Sequence, residues 1–207
     1  MKKLALRFAI CLLVTAPLFA NSALRIDFGQ LSTLSDRVVA GRITKITAAE
    51  DPRNGYIYST VTMAVSQAVP EQLAGREYSF RMIGGELNGR LQYIADFPKL
   101  RVGGDVVLFL NADTASVFGP TVGLGQGVFY LEATSFDSVQ RVMDRFGRPV
   151  LGIREQSLIR GVRRADDPAS SALGTGQKGA VAMAVGDFFQ QVRGQRALNS
   201  VQSPLGR

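Results

Sequence analysis

Histidine and tryptophan are absent from this chain of 207 residues, and Cys11 is its single cysteine. Without histidine neither a Ser-His-Asp triad nor a Cys-His pair can be assembled. The Cys and His donor sets that hold zinc or copper are excluded with them, and the chain has no Asp-x-Asp-x-Asp-Gly loop and no Gly-x-Ser-x-Gly elbow. A lone cysteine has no partner within the chain, so burial and hydrogen bonding must hold the fold. Glu71, Glu77, Glu86, Asp96 and Asp105 are available carboxylates, but nothing in their spacing singles out the pair that glycoside hydrolysis requires. The expectation is a non-enzymatic protein with no metal and no cofactor.

What is present begins with Lys2 and Lys3, an apolar run from Leu4 to Ala20 and the small, polar Asn21-Ser22-Ala23. This is the pattern of a signal peptide over residues 1–22. The run from Phe8 to Ala20 is short for a bilayer span and broken by Pro17, while Ala20 and Ser22 are the small residues that a cleavage after Ser22 needs. Ile10 is too bulky a neighbour for Cys11 to be a lipidation site. A secreted or periplasmic chain without cysteine is therefore expected. Lys2, Lys3 and Arg7 leave with the signal, so the formal net charge of +7 overstates how basic the remainder is. From Leu24 to Glu132 ten basic side chains stand against eleven acidic ones, whereas from Ala133 onward eleven stand against six. The excess gathers at Arg141, Arg145, Arg148, Arg154, Arg160, Arg163 and Arg164, a candidate patch for anionic lipid or surface polymer. The plainer reading of the same residues is charge solvated on strands and a loose linker.

Phe28, Leu31 and Leu34 recur at three-residue spacing and predict a short helical turn. Arg37 to Ile46 is rich in β-branched residues and reads as a strand with a bulge at Gly41. The turn Asp51-Pro52-Arg53-Asn54-Gly55 joins it to a second strand, Tyr56 to Val69, with Ile57, Val61, Met63 and Val65 on one face. Tyr78, Phe80 and Met82 alternate with Glu77, Ser79 and Arg81 as a third strand, followed by a shorter segment with Leu91 and Tyr93. Asp105 to Leu110 is apolar after its first residue and predicts a strand covered on both faces. The glycine-rich stretch from Gly119 to Gly127 lacks the Lys-Ser/Thr of a phosphate-cradling loop and feeds another strand. Val139 to Ile153 predicts a final hairpin turning at Phe146-Gly147-Arg148-Pro149. Residues 154–179 are poor in apolar side chains and predict a basic, flexible connector. Met183, Phe188, Phe189 and Val192 then predict a short helix within 180–207, stopping at Gly194 before a frayed tail. Many short strands with turns at regular spacing suit a small barrel or sandwich.

The ordered blocks DRVVAGRITKI, YIYSTVTMAVSQAV, YSFRMIGGELNG, DFPKLRVGGDVVLFL and VGLGQGVFYL resemble those of a family of exported bacterial proteins of unassigned function. At fold level they are similar to netrin-like and tissue-inhibitor-of-metalloproteinase domains, which are OB-type barrels, and the resemblance covers roughly half of the chain. Its matching positions are Gly84, Gly85, Phe97, Pro98, Gly103, Leu108, Phe109, Leu110, Gly123, Gln126, Gly127 and Phe129. None of these can act as acid, base or nucleophile, so the resemblance implies structural roles for them. It also implies another exported protein as partner, with a matrixin-like zinc protease as one class. Metalloproteinase inhibitors chelate zinc through an N-terminal cysteine, which a chain beginning near Ala23 or Leu24 does not offer. Nucleic acid is the other common ligand of such barrels, through Tyr56, Tyr58, Tyr78 and Phe80 with Arg53 and Arg81 nearby. Export and a near-neutral barrel argue against it, and the alternation of Tyr78 and Phe80 with polar residues marks them as core. The expectation is a mainly β protein: a small OB-like (netrin/TIMP-like) β-barrel over 24–153 with a short C-terminal helix.

Overall fold

The computed structural model describes residues 24–112, 118–133, 137–162 and 181–202. A helix at Phe28–Leu34 opens the fold, and its start is set by a reciprocal cap. The Asp27 carboxylate accepts from Gln30 N at 2.7 Å while the Gln30 side chain accepts from Asp27 N at 3.1 Å. The chain then enters β1 (Arg37–Glu50), turns at Asp51 and returns as β2 (Ile57–Val69). β3 (Glu77–Ile83), β6 (Asp105–Leu110), β7 (Val128–Ala133) and β8 (Gln140–Met143) complete one antiparallel sheet in the order β3-β2-β1-β6-β7-β8. Between β3 and β6 lies a small hairpin, β4 (Gly85–Leu87) and β5 (Arg90–Gln92).

β1 is the spine, paired on one side with β2 and on the other with β6. Its register against β2 slips between Ala40 and Gly41 and again between Ile43 and Lys45, which places a bulge where the sequence predicts one. A side chain at position 41 would drive its Cβ into the carbonyl of Ala64, so only glycine allows the strands to meet there. Alternation along β1 and β6 sorts the apolar side chains between two cores. Val39, Ile43, Val106, Leu108 and Leu110 join Val61, Met63, Phe80, Met82, Phe97 and Val128 in one cluster. Val38, Ala40, Val107 and Phe109 join Phe28, Leu31, Phe129, Leu131, Val142, Phe188 and Phe189 in the other. β6 is thus covered on both faces, as its unbroken apolar run predicts. Because β3 and β7, far apart in strand order, share the first cluster, the sheet curls around it.

The mainly β character with a C-terminal helix stands, but the expected closure into a barrel is not made. β3 and β8 are unpaired with each other. The chain segment 93–101 crosses the curled face and seats Phe97 in the core, and one hydrogen bond from Ile83 N to Phe118 O, 3.1 Å, reaches across from β3. The predicted pairing of 139–143 with 150–153 is made only at its turn, where Met143 bridges Pro149 and Asp144 N donates to Arg148 O at 2.8 Å, and it is corrected beyond that. Met183 lies between these segments: Val142 N donates to Met183 O at 3.0 Å, and Met183 N donates to Val150 O at 2.7 Å. β9 (Val150–Arg154) pairs instead with β10 (Ser157–Arg160), so the first residues assigned to a flexible connector form a hairpin. Its turn is anchored because Gln156 O accepts from Phe28 N at 2.8 Å, satisfying a donor that a helix start leaves open. Residues 163–179 of that stretch lie outside the described ones.

The last helix, Val185–Gln202, runs past Gly194, the predicted stop. Phe188, Phe189 and Val192 bury its first half in the second core, and beyond the glycine Arg196 ties the helix down. The Arg196 guanidinium donates to Ser32 O at 3.0 Å, to Ser35 O at 2.7 Å and to Ser35 Oγ at 2.9 Å, capping the final carbonyls of the Phe28–Leu34 helix. Among the described residues no helix is long and apolar enough to cross a membrane.

Candidate functional site

Two concavities flank the segment 93–101. On one side is a groove of about 640 Å³ whose walls include Ile46, Val61, Met82, Ile94, Phe97 and Leu100. β1, β2 and β3 supply its floor, and Gly84 and Gly85 line the corner where β3 passes into β4. Gly85 has φ 134°, and a side chain there would meet the hydroxyl of Ser59, which is engaged by Gly84 O at 2.8 Å. Leu91 and Tyr93 stand at the rim, 71% and 60% exposed, so apolar side chains remain in water beside an apolar floor. On the other side, a cleft of about 760 Å³ is lined by more polar residues, among them Lys99, Arg101, Asp105, Glu132 and Arg145. The two share Tyr93, Phe97, Pro98, Lys99 and Leu100. Tyr130 holds the segment by donating to Lys99 O at 3.3 Å, and burial raises the pKa of that phenol, which keeps it a donor.

The arginines of the basic patch fall into three situations. Arg141 is nearly buried on β8, pairs with Asp137 and donates to Ala182 O at 3.1 Å, so it fixes the segment leading to the last helix. Arg154 is exposed at the end of β9, while Arg163 and Arg164 lie outside the described residues. Arg145, Arg148 and Arg160 converge. Arg145 pairs with Asp96 at 3.3 Å, and Arg148 and Arg160 both reach the buried Asp144, at 2.7 and 3.1 Å. These are not charges solvated on strands, and they do not form one extended face.

Asp144 organises the turn after β8. Its Oδ1 accepts from Phe146 N at 2.9 Å and Arg148 N at 3.0 Å, and its Oδ2 accepts from Arg148 Nε at 2.8 Å. Arg160 Nε, though 3.1 Å away, is misaligned for a hydrogen bond and is left buried without an acceptor. Burial lowers the Arg160 pKa, with Arg148 and Arg25 pushing the same way and Asp144 opposing them. A guanidinium so placed stays protonated. Asp51, at the opposite end of the sheet, is the matching case: buried, with Arg53 at 2.9 Å and Arg81 at 3.1 Å. Hydrogen bonds from both arginines hold its carboxyl well below the usual range. There Arg53 lies in solvent and Arg81 stacks on Tyr58 at 3.7 Å, so no cationic pocket is left.

The positions that carry the resemblance are dispersed. Phe109 and Phe129 are fully buried in the second core, Gly127 lies against Phe109, Gly103 turns the chain into β6, and Gly123 starts the 3-10 turn Leu124–Gly127. Gln126 does something the sequence did not suggest. Its side chain accepts from Ile26 N at 2.9 Å and donates to Leu24 O at 2.9 Å, imitating a strand pair and fastening residues 24–26 to the domain. Arg25 is held between those two contacts and lines the cavity of Arg145, Arg148 and Arg160. No spacing or periodicity marks Arg25, and only its place just after the predicted cleavage could have drawn attention to it. Leu91 and Tyr93 were legible as a short alternating segment, not as a rim. Tyr78 and Phe80 are buried, stacked 6.1 Å apart, and present no free faces to a nucleic acid.

Among the described residues no three His, Cys, Asp or Glu side chains gather as a metal site. The structure is mainly β and curled, with an apolar groove, a more polar cleft beside it and a separate cationic cavity. Comparison with protein-family models, with curated proteins and with solved structures gives no match.

Proposed function

We propose that the protein is an exported, non-enzymatic binding module on an OB-like curled sheet, and that its groove takes an apolar segment of another exported protein. The groove with exposed Leu91 and Tyr93 at its rim carries this reading, since apolar surface left beside a concave apolar floor is what a partner's side chains fill. Its volume of about 640 Å³ is within the range of ligand-binding clefts. Export rests on the pattern of residues 1–22, and the clamp of Gln126 on Leu24 and Ile26 fits a domain that begins just after that pattern. A matrixin-like zinc protease is the partner class that the resemblance implies. The alternative, retention of anionic polymer or lipid through Arg141 to Arg164, is less favoured as an extended face because Arg141, Arg145, Arg148 and Arg160 already hold carboxylates.

The test is a pull-down from the exported fraction with the wild-type chain, the Leu91→Ser/Tyr93→Ser variant and an Arg154→Gln control. A stoichiometric protein that survives a high-salt wash, is lost with the groove variant and is kept by the control is the expected result. A partner retained equally by all three, or recovery of salt-labile anionic material alone, overturns the groove reading.

A further inference from the structure

We propose that the cavity formed by Arg25, Arg145, Arg148 and Arg160 is a binding site for a phosphomonoester group. It has a volume of about 430 Å³ and shares no lining residue with the apolar groove, so it stands whether or not the groove takes a partner. Four guanidinium-bearing residues line it against two carboxylates, Asp96 and Asp144. The excess of two positive charges matches a phosphomonoester, which carries close to two negative charges at neutral pH, better than a single carboxylate.

The carboxylates present do not use up this charge. Asp144 accepts from the backbone of its own turn and from Arg148, and it also pairs with Arg160 at 3.1 Å, so one carboxylate stands against two guanidinium groups. Arg160 Nε lies 3.1 Å from Asp144 Oδ2 without hydrogen-bond alignment, and 26% of the Arg160 side chain stays exposed. Among the described residues the Asp96 carboxylate engages Arg145 alone, at 3.3 Å. Arg25 forms no salt bridge among the described residues, and the clamp of Gln126 on Leu24 O and Ile26 N holds its backbone at the mouth.

The site is also stiffened before any ligand arrives. The Phe146 ring has the guanidinium of Arg145 at 4.6 Å and that of Arg148 at 5.1 Å, which restricts two long side chains that would otherwise lose freedom on binding. Arg160 projects from the β9–β10 hairpin, Arg145 and Arg148 from the turn after β8, and Arg25 from the opening strand-like segment. Three separate parts of the chain thus present planar donors to one volume, the geometry in which guanidinium forks engage the oxygens of a phosphoryl group.

The test uses the full exported chain in two arms, with chloride holding ionic strength constant. One arm titrates inorganic phosphate by calorimetry, and the other measures sedimentation with phosphatidylcholine vesicles with and without phosphatidate. Arg25→Gln is the leading variant because it breaks no side-chain hydrogen bond among the described residues, Arg160→Gln is the second, and Arg154→Gln is the control outside the cavity. Saturable phosphate binding that Arg25→Gln weakens by about tenfold or more, with Arg154→Gln unchanged, is expected. Binding seen only with phosphatidate vesicles and lost in the same variant supports the site with a lipid headgroup as the source. Absence of binding in both arms, or equal weakening by Arg25→Gln and Arg154→Gln, overturns the proposal.

Discussion

The two faces of this sheet are built from the same strands and treated in opposite ways. On one face Val107, Phe109 and Phe129 meet two helices and a hairpin, and Phe28, Phe109, Phe129, Phe188 and Phe189 are all fully buried. On the other, Val106, Leu108 and Val128 are covered by the curl of β2 and β3 and by the single segment 93–101, which leaves a groove of about 640 Å³. A strand with period two can serve both faces at once, so the thickness of one sheet separates the surface that holds the domain together from the surface left open. With Cys11 as the single cysteine, the helix face has to supply by aromatic packing what a disulfide supplies in many smaller domains.

The largest effect is expected at Phe188, whose ring sits 5.2 Å from Phe129, 5.3 Å from Phe28 and 6.1 Å from Phe109. Phe188→Ala removes one partner from three aromatic pairs and opens a cavity between a helix and the sheet, and it should cost about 3–5 kcal/mol. Urea denaturation reads this as a lower midpoint at unchanged slope. A loss below about 1 kcal/mol would mean that the last helix is not part of the cooperative unit, and the contrast between the faces would fail.

A smaller effect belongs to Arg196. Arg196→Met keeps most of the apolar stem and removes the donors to Ser32 O and Ser35 O, leaving the end of the Phe28–Leu34 helix uncapped. About 1–3 kcal/mol should be lost by the same measurement. Protection of the amides in that helix should fall further than protection of β1 in hydrogen exchange, since the tie is local to the helix face.

These two residues also show what the sequence makes readable. The spacing of Phe188, Phe189 and Val192 is a local signal and it identified the buried side of the helix. Gly194 was read as a stop because glycine is a poor helix residue, yet the contact that carries the helix onward comes from serines 161 and 164 positions earlier in the chain. The strands, the bulge at Gly41 and the two-sided burial of β6 were legible for the same reason, each being a property of a few adjacent residues. The partner of β8 was not, because Met183 enters beside it from another part of the chain. The cationic cavity lies at the far end of this scale. The patch from Arg141 to Arg164 was visible as composition, but its pairing with Asp96 and Asp144, its loss of Arg141 to another task and its gain of Arg25 are all consequences of tertiary contact.

The smallest effect on stability is expected on the open face. Leu91 and Tyr93 are largely in water, and Lys99 Nζ stands 6.0 Å from the centroid of the Tyr93 ring. Replacing both by serine therefore removes little buried area, and the unfolding midpoint should move by no more than about 0.5 kcal/mol in free energy. The value of this near-zero result lies in its pairing with the partner assay. If the double variant keeps its stability and loses a partner, the rim acts in recognition alone. A cost above about 1 kcal/mol would mean instead that the rim packs onto Phe97 and Leu100 in solution, so that the groove is a part of the core and both faces are built for stability.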